Sequence, residues 1–303
     1  MKLSVTFPGN PPTKESLLVV KSLSESKGNI YHVRSLARSE NYALKLFPKD
    51  RMGDFQYDRE ILMSRFSHPN VVQYIPMRSH DRTFNSVLIE YSAHGNFHDL
   101  VVGRAFDSES VVRTYFHQLI AGLEYLHSQG VAHLDLKLAN LMVGLNCELK
   151  IIDFDQAQLT TETHCIAGGT IGFRAPEIAD RSCNDIFAAD VYSAGIILYA
   201  LLTKEMLFNE EEDPKCQSPK SYSSYCKDKK GFWEGRARKH PVLTPELQEL
   251  IGGMVNSNPS KRFKIKDIKN SKWFKGRTVD GEKLKERIST KIEHVKKIKS
   301  AHF

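Results

Sequence analysis

Residues 133–140 read HLDLKLAN and residues 153–155 read DFD, and these two motifs decide the fold of the chain. The first motif supplies a carboxylate at Asp135, an ammonium group at Lys137 and a carboxamide at Asn140. The second adds a carboxylate directly behind a β-like run. Phosphoryl transfer from a magnesium-bound nucleotide needs these groups, because it uses a residue that orients a hydroxyl, a cation near the moving phosphoryl group and oxygen ligands for hard metal ions.

The two motifs resemble the catalytic loop and the metal-binding motif of eukaryotic protein kinases, usually written H-R-D-x-K-x-x-N and D-F-G. The resemblance covers roughly residues 14–275, and the lysine two positions after Asp135 is typical of the serine/threonine branch. Residues 125–133 are loosely similar to the calcium/calmodulin-dependent kinase group. The resemblance implies an α+β, bilobal fold with a small antiparallel-sheet N-lobe, one main helix in that lobe, and a larger, mostly helical C-lobe.

The resemblance also implies a role for each polar side chain of the two motifs. Asp135 is expected to orient the substrate hydroxyl, and Lys137 to neutralise charge that develops on the γ-phosphoryl group. Asn140 and Asp153 are expected to bind Mg²⁺, with Mn²⁺ as the alternative metal, together with ATP. Each of the four taken alone could be a surface loop residue, but the four at these spacings argue strongly against a chance match.

A second set of expected site residues precedes these motifs in the chain. Lys45 ends an Ala-x-Lys triplet on a β-like run, and the resemblance assigns it to the α- and β-phosphates of ATP. Glu60, in the helix expected next, is the candidate ion-pair partner that would hold Lys45 in position. The alternative for either residue is an ordinary solvated side chain.

The adenine ring is expected to lie between apolar side chains at Ile30, Ala43 and Met142, for which the alternative is a purely structural place in the core. The backbone of the hinge between the lobes, at Glu90 and Ser92, is expected to bind the adenine edge. These assignments also come from the resemblance.

The phosphate loop departs from the family pattern G-x-G-x-x-G. Gly28 matches the third glycine, but Leu23 and Glu25 replace the first two. Glycine lets backbone amides approach phosphate closely, and a glutamate repels a triphosphate. We therefore expect a reduced affinity for the nucleotide.

Two further departures affect the motifs themselves. Leu134 replaces the arginine that commonly pairs with a phosphorylated activation-loop residue, so activity is expected not to depend on such phosphorylation. Asp155 replaces the glycine of D-F-G, and aspartate tolerates positive φ better than most residues. We therefore expect the motif to keep a working geometry with aspartate at this position.

Three structural roles follow from the same resemblance. Thr170 is expected to bond near Asp135 and Lys137, and Asp190 to anchor the backbone of the catalytic loop. The end of the activation segment, residues 169–177, should be held by an ion pair between its last residue and Arg262, because buried charges need partners.

Hydrophobic patterns divide the chain into four parts. Residues 1–13 are expected to lead in loosely, residues 14–90 to form the N-lobe, residues 91–275 the C-lobe and residues 276–303 a basic tail. Within the lobes the patterns predict strands near residues 17–20, 30–33, 42–47, 71–75 and 86–90, and helices near residues 57–66, 111–128, 190–202, 247–255 and 265–273.

The tail carries apolar residues at spacings of four, four, three and three, which is the pattern of an amphipathic helix: Leu284, Ile288, Ile292, Val295 and Ile298. Nine Lys and Arg against four Asp and Glu from residue 275 onward give it a local excess of five positive charges. Three readings stay open: a calmodulin-type or autoinhibitory contact, a membrane-surface helix, and simple packing on the C-lobe with the lysines in water.

Composition narrows the class of protein. The 303 residues are 41% apolar and 26% charged, as in ordinary globular chains, and five cysteines without a C-x-x-C pair favour a reducing compartment. The net charge of +7 is concentrated in the tail, so we expect no nucleic-acid surface. We also expect no membrane span and a cytoplasmic location, with the nucleus as the alternative.

Two functions remain. The first is an active serine/threonine kinase that acts on protein substrates, which rests on the intact set of polar side chains. The second is a pseudokinase, a nucleotide-binding or scaffold module on the same fold, which rests on the eroded phosphate loop, Leu134 and Asp155.

Overall fold

The computed structural model describes residues 2–8, 11–23, 29–75, 77–79, 83–162, 168–180, 182–208 and 220–301, and it divides the chain into two compact units. The first unit comprises Met1–Ala93 together with Ile152–Asp155, and the second comprises His94–Ile151 and Gln156–Phe303. The predicted fold class is confirmed, since the first unit is a small antiparallel sheet with a helix and the second is larger and mostly helical.

The first unit contains one seven-stranded sheet in the order β5-β7-β4-β3-β2-β1-β6, with neighbouring strands antiparallel. Its elements are β1 (Lys2–Phe7), β2 (Thr13–Ser22), β3 (Ile30–Ser35), β4 (Asn41–Pro48), α1 (Arg51–Met63), β5 (Tyr74–Ile75), β6 (Arg78–Ser79) and β7 (Phe84–Glu90). Helix α1 packs on β4 and β7.

Strand β1 lies where a loose lead-in had been expected. Residues 2–7 pair with β2 over their full length, from Lys2 opposite Leu18 to Phe7 opposite Thr13. Val5 and Phe7 alternate into the core of the sheet, and both are buried. The alternation of apolar residues in this segment is the signal that identifies β1.

Helix α1 begins six residues before the predicted start at residue 57. Asp50 caps it, with its Oδ1 accepting a hydrogen bond of 2.7 Å from the Gly53 amide. The capped first turn lies before the residues that predict the helix, and Glu60, further along α1, is buried. Only 2% of the Glu60 side chain is exposed.

The second unit is built on helices α2 (Phe97–Val102), α3 (Glu109–Ser128), α4 (Pro176–Ala179), α5 (Ile186–Thr203), α6 (Lys220–Lys227), α7 (Lys229–Lys239), α8 (Pro245–Met254), α9 (Ile265–Asn270) and α10 (Gly281–Ala301). Two short sheets pair β8 (Val131–Ala132) with β11 (Gln158–Leu159), and β9 (Leu141–Val143) with β10 (Leu149–Ile151). Helix α5 packs against α3 and α8 and is buried almost throughout. It is the one described helix that is long and apolar enough to cross a bilayer, and 83% of it is buried within the protein.

The tail forms the predicted amphipathic helix, α10, and packs on the second unit. Leu284, Ile288, Ile292 and Val295 are buried, while Ile298, the last apolar position of the stripe, is 41% exposed. The segment before α10 is fixed to α3, because the Arg113 guanidinium donates hydrogen bonds to the carbonyl oxygens of residues 273 (2.7 Å) and 277 (2.8 Å). Of the three hypotheses for the tail, simple packing on the C-lobe agrees with this structure, because four of the five apolar residues are buried.

A buried ion pair joins Glu177 to Arg262, as expected. The Nη2 atom of Arg262 donates to Glu177 Oε2 at 2.9 Å, and Nη1 donates to Glu177 Oε1 and to the Ala188 carbonyl oxygen at 2.8 Å. The Nε atom donates to the Asn256 carbonyl oxygen at 3.0 Å. The guanidinium thus fastens α4 to the start of α5 and to the loop after α8.

We expect Ile288→Ala to lower the free energy of unfolding by about 2–5 kcal/mol, because the truncation leaves a cavity under α10. Ile298→Ala, the same substitution at an exposed position of the same helix, should cost well under half as much. Urea unfolding followed by circular dichroism measures both. Equal losses for the two variants would contradict the packing described for α10.

Replacing Glu177 by alanine should destabilise the second unit by about 3–5 kcal/mol, because the Arg262 guanidinium would be left buried without its counter-charge. The control is Glu124→Ala, which removes an ion pair with Lys269 whose side chains are 49% and 47% exposed and which should cost at most about 1 kcal/mol. Urea unfolding of both variants measures the difference. A loss at residue 177 no larger than that at residue 124 would refute a structural role for the buried pair.

Candidate functional site

The catalytic loop is held by one buried carboxylate. Asp190, in α5, accepts hydrogen bonds from the backbone amides of His133 and Leu134, each at 2.8 Å. The Nε2 atom of His127 lies 2.9 Å from the same carboxylate. Because Asp190 is fully buried, its carboxylate is stabilised by these hydrogen-bond partners. The same bonds fix the backbone of the loop.

Leu134 occupies the position where the family pattern has arginine. Its φ is 61°, in the left-handed region, and only 6% of its surface is exposed. The apolar side chain at this position is therefore buried in the protein interior. The bond from its amide to Asp190 stabilises the backbone in a conformation that L-residues otherwise avoid.

Asp135, Lys137 and Thr170 form a closed triangle of hydrogen bonds. Thr170 Oγ1 donates to Asp135 Oδ1 at 2.7 Å, and Lys137 Nζ donates to Asp135 Oδ2 at 2.7 Å and to Thr170 Oγ1 at 2.8 Å. Asp135 is buried, whereas the Lys137 side chain is 25% exposed. The contacts expected for Thr170 are present, and each carboxylate oxygen of Asp135 has a defined donor.

The carboxamide of Asn140 is oriented by the same loop. Its Nδ2 atom donates to the Asp135 carbonyl oxygen at 2.9 Å and to Asp135 Oδ2 at 3.1 Å. Both bonds are made by the nitrogen, which leaves the amide oxygen as the atom that can bind a cation. An amide oxygen in this orientation suits a hard metal ion such as Mg²⁺.

Lys45, Glu60 and Asp153 come together in the first unit. Lys45 Nζ donates to Glu60 Oε1 at 2.5 Å and also pairs with Asp153 Oδ1. Burial opposes the ammonium form of Lys45, but the carboxylates of Glu60, Asp153 and Asp155 outweigh it and raise the pKa of Lys45 above its ordinary value. The lysine is therefore a fixed positive charge, and the expected ion pair with Glu60 is present.

Glu60 has a second partner that the sequence did not suggest. The hydroxyl of Tyr74, on β5, donates a hydrogen bond to Glu60 Oε2. Burial, and next the neighbouring Glu60 charge, raise the pKa of Tyr74 well above its ordinary value, so its hydroxyl stays protonated and can donate. In the sequence Tyr74 is one residue of an apolar strand pattern, and only the approach of α1 to β5 gives it a polar partner.

In the metal-binding motif the residue with a positive φ is Asp153, and not Asp155 as the sequence suggested. Among the described residues with left-handed φ is Asp153, at 70°, and Asp155 is not one of them. Asp155 instead turns a carboxylate oxygen toward α1, where Gln56 Nε2 lies 3.5 Å from its Oδ2. The residue of the motif that adopts a positive φ is thus Asp153, which is also an aspartate.

The residues expected around adenine are distributed over both units. Ala43 is buried on β4 opposite Ile89 of β7, and Ile30 lies opposite Lys45 in the pairing of β3 with β4. Met142 belongs to β9 of the second unit, where it bridges to Asn96. Gly28, which is expected in the phosphate loop, lies outside the described residues.

The hinge begins where β7 ends, and part of its backbone is already engaged. The Glu90 amide donates to the Gln73 carbonyl oxygen at 3.0 Å, and the Gln73 amide donates to the Glu90 carboxylate at 2.7 Å. These bonds fix the end of β7, where the expected hinge begins. Ser92 follows in the segment after the strand.

Comparison with known proteins agrees with this geometry. A sequence model of the family described as protein kinase domain matches residues 25–274. CBL-interacting protein kinase 11 of Oryza sativa subsp. japonica is 32% identical over 259 residues, which are 81% of this chain and 48% of that protein.

Two further relatives give the same result. CBL-interacting serine/threonine-protein kinase 20 of Arabidopsis thaliana is 32% identical over 259 residues, covering 81% of this chain and 55% of that protein. CBL-interacting protein kinase 8 of Oryza sativa subsp. japonica is 33% identical over 236 residues, covering 75% of this chain and 49% of that protein. The chain spans about half the length of the curated relatives it matches. The matched region, the two-unit fold and the hydrogen-bonded motifs together identify the chain as a member of the eukaryotic protein kinase family, serine/threonine type.

Proposed function

We propose that this chain is an active serine/threonine protein kinase that transfers the γ-phosphate of ATP to hydroxyl groups of protein substrates. The observation that carries the proposal is that each of the six expected polar side chains is ordered by hydrogen bonds within its own unit. Lys45, Glu60 and Asp153 form one connected set, and Asp135, Lys137 and Asn140 form the other.

The second unit supplies the groups for the incoming hydroxyl and the moving phosphoryl group. Asp135 accepts the proton of the substrate hydroxyl and orients its oxygen for attack, while Thr170 fixes the rotation of the carboxylate. Lys137 is held by Asp135 and Thr170, and its positive charge stabilises the negative charge that develops on the γ-phosphoryl oxygens.

The first unit supplies the groups for the rest of the nucleotide. Lys45, with its charge fixed by Glu60, binds the α- and β-phosphates. The Asp153 carboxylate and the Asn140 amide oxygen are hard oxygen donors that fit Mg²⁺, which when bound neutralises phosphate charge. The ion pair between Lys45 and Asp153 supports this role, because the carboxylate already binds a cationic group.

Regulation by protein partners is a further part of the proposal. The relatives are named for their interaction with CBL, which supports a protein partner as the class of regulator. The apolar stripe of α10 is covered by the second unit, so a calmodulin-like contact through that stripe requires the helix to detach first.

The pseudokinase alternative is favoured by Leu134 and Asp155, and one assay separates the two. Incorporation of ³²P from labelled ATP into a generic protein substrate should fall by about 10²–10⁴-fold in Asp135→Asn, because the group that orients the hydroxyl is lost. Asp58→Asn, an exposed aspartate on α1, should keep the wild-type rate. Equal incorporation by wild type and Asp135→Asn would exclude Asp135 as the catalytic carboxylate, and none by either protein would favour the pseudokinase.

We also propose that activity is independent of activation-loop phosphorylation, because buried Leu134 cannot pair with a phosphate. Protein treated with a broad-specificity phosphatase, and checked by mass spectrometry for complete dephosphorylation, should keep the rate of a sample treated with inactivated phosphatase. Loss of activity that returned after rephosphorylation of residues 163–170 would overturn this part of the proposal.

A further inference from the structure

The Glu60 carboxylate has a different donor on each of its two oxygens. Lys45 Nζ donates to Oε1, and the Tyr74 hydroxyl donates to Oε2. Glu60 and Tyr74 are each 2% exposed, so water does not compete for either bond. A buried carboxylate with two defined donors is held in one orientation, whereas one donor alone leaves it free to turn about its terminal bond.

Tyr74 is itself rigidly placed. Its strand, β5, pairs with β7 through Tyr74 opposite Ile89 and Ile75 opposite Leu88. The preceding residue, Gln73, exchanges two hydrogen bonds with Glu90 at the end of β7. The hydroxyl of Tyr74 therefore projects toward α1 from a fixed point on the sheet.

We propose that Tyr74 is a positioning residue for phosphoryl transfer: its hydroxyl fixes the Glu60 carboxylate, and through Glu60 it holds the Lys45 ammonium group in place for the nucleotide phosphates. The inference rests on the proposed function of Lys45. It adds a connection from β5 to α1 that ties the helix carrying Glu60 to the sheet carrying Lys45.

This connection also bears on regulation. The first unit orders its own ion pair through a bond between two of its buried side chains, and no phosphate group is part of that bond. A kinase with such a connection keeps Glu60 engaged with Lys45 in its unmodified state, which agrees with the independence from phosphorylation proposed above.

The variant Tyr74→Phe tests the inference, since it removes the hydroxyl and keeps the ring. We expect kcat/KM for ATP to fall by about tenfold, the factor that corresponds to the loss of one hydrogen bond to a charged group. The matched control is Tyr42→Phe. Tyr42 lies on β4 of the same sheet, is 6% exposed and donates its hydroxyl to another glutamate, Glu40, so its variant removes a similar bond away from Lys45 and should leave kcat/KM unchanged.

A double-mutant cycle separates positioning from a general structural effect. In a Glu60→Gln background, Tyr74→Phe should have little further effect on kcat/KM or on the affinity for a fluorescent ADP analogue, because both substitutions break the same chain of contacts. Independent losses that add would overturn the inference. So would a wild-type rate and affinity in Tyr74→Phe.

The measurements distinguish this inference from the proposed function. If the wild type binds the ADP analogue but transfers no phosphate, the proposed activity fails, and the cycle on nucleotide affinity still tests the role of Tyr74. If the wild type transfers phosphate and the cycle is additive, the activity stands and the role of Tyr74 fails. A wild type that neither binds nucleotide nor transfers phosphate overturns both. Thermal unfolding of each variant identifies any that lose activity by failing to fold.

Discussion

The requirement that a buried carboxylate be fully hydrogen-bonded governs the second unit of this protein. Asp190 lies in the core helix α5, and water does not reach it. Its charge is stabilised by the amides of His133 and Leu134, and this bonding forces the chain after β8 into the turn that presents Asp135. The triangle of Asp135, Lys137 and Thr170 depends on that turn, so the arrangement of these side chains depends on one buried carboxylate in the core.

The first unit also contains a buried carboxylate that must be hydrogen-bonded, but its donors are of a different kind. There the buried carboxylate is Glu60, and its donors are side chains, Lys45 and Tyr74, in place of backbone amides. Side-chain donors are mobile unless the elements that carry them are fixed, and here β4 and β5 are fixed by their pairing with β7. The position of Lys45 is therefore set by sheet register and by the packing of α1 on β4 and β7.

The sequence predicted what depends on local spacing. Asp135, Lys137 and Asn140 lie within one short stretch of sequence, so the motif could be recognised by its resemblance to protein kinases, and its chemistry predicted, without a structure. Tyr74 could not be assigned a role in this way, because its partner Glu60 lies fourteen residues earlier and meets it only when α1 packs on the sheet. The fate of the tail was equally open, since the periodicity of an apolar stripe gives the same signal for a core-facing helix and for a helix that binds a partner.

Two residues of the catalytic motifs have a strained backbone conformation, and the contacts that hold them bear on whether the chain is active. Among the described residues, six that are not glycine have a left-handed φ, and two of them, Leu134 and Asp153, belong to the catalytic motifs. Such a conformation costs about 1–2 kcal/mol at an L-residue and persists only where the surroundings over-determine it. At Leu134 the backbone amide is held by its hydrogen bond to Asp190, and at Asp153 the side chain is held by its ion pair with Lys45. At Leu134, which departs from the family pattern, and at Asp153, which keeps it, the structure thus retains contacts that hold the motif in place. Because both sets of polar side chains keep their contacts despite the substitutions at Leu134 and Asp155, the structure favours the proposed enzyme over the pseudokinase.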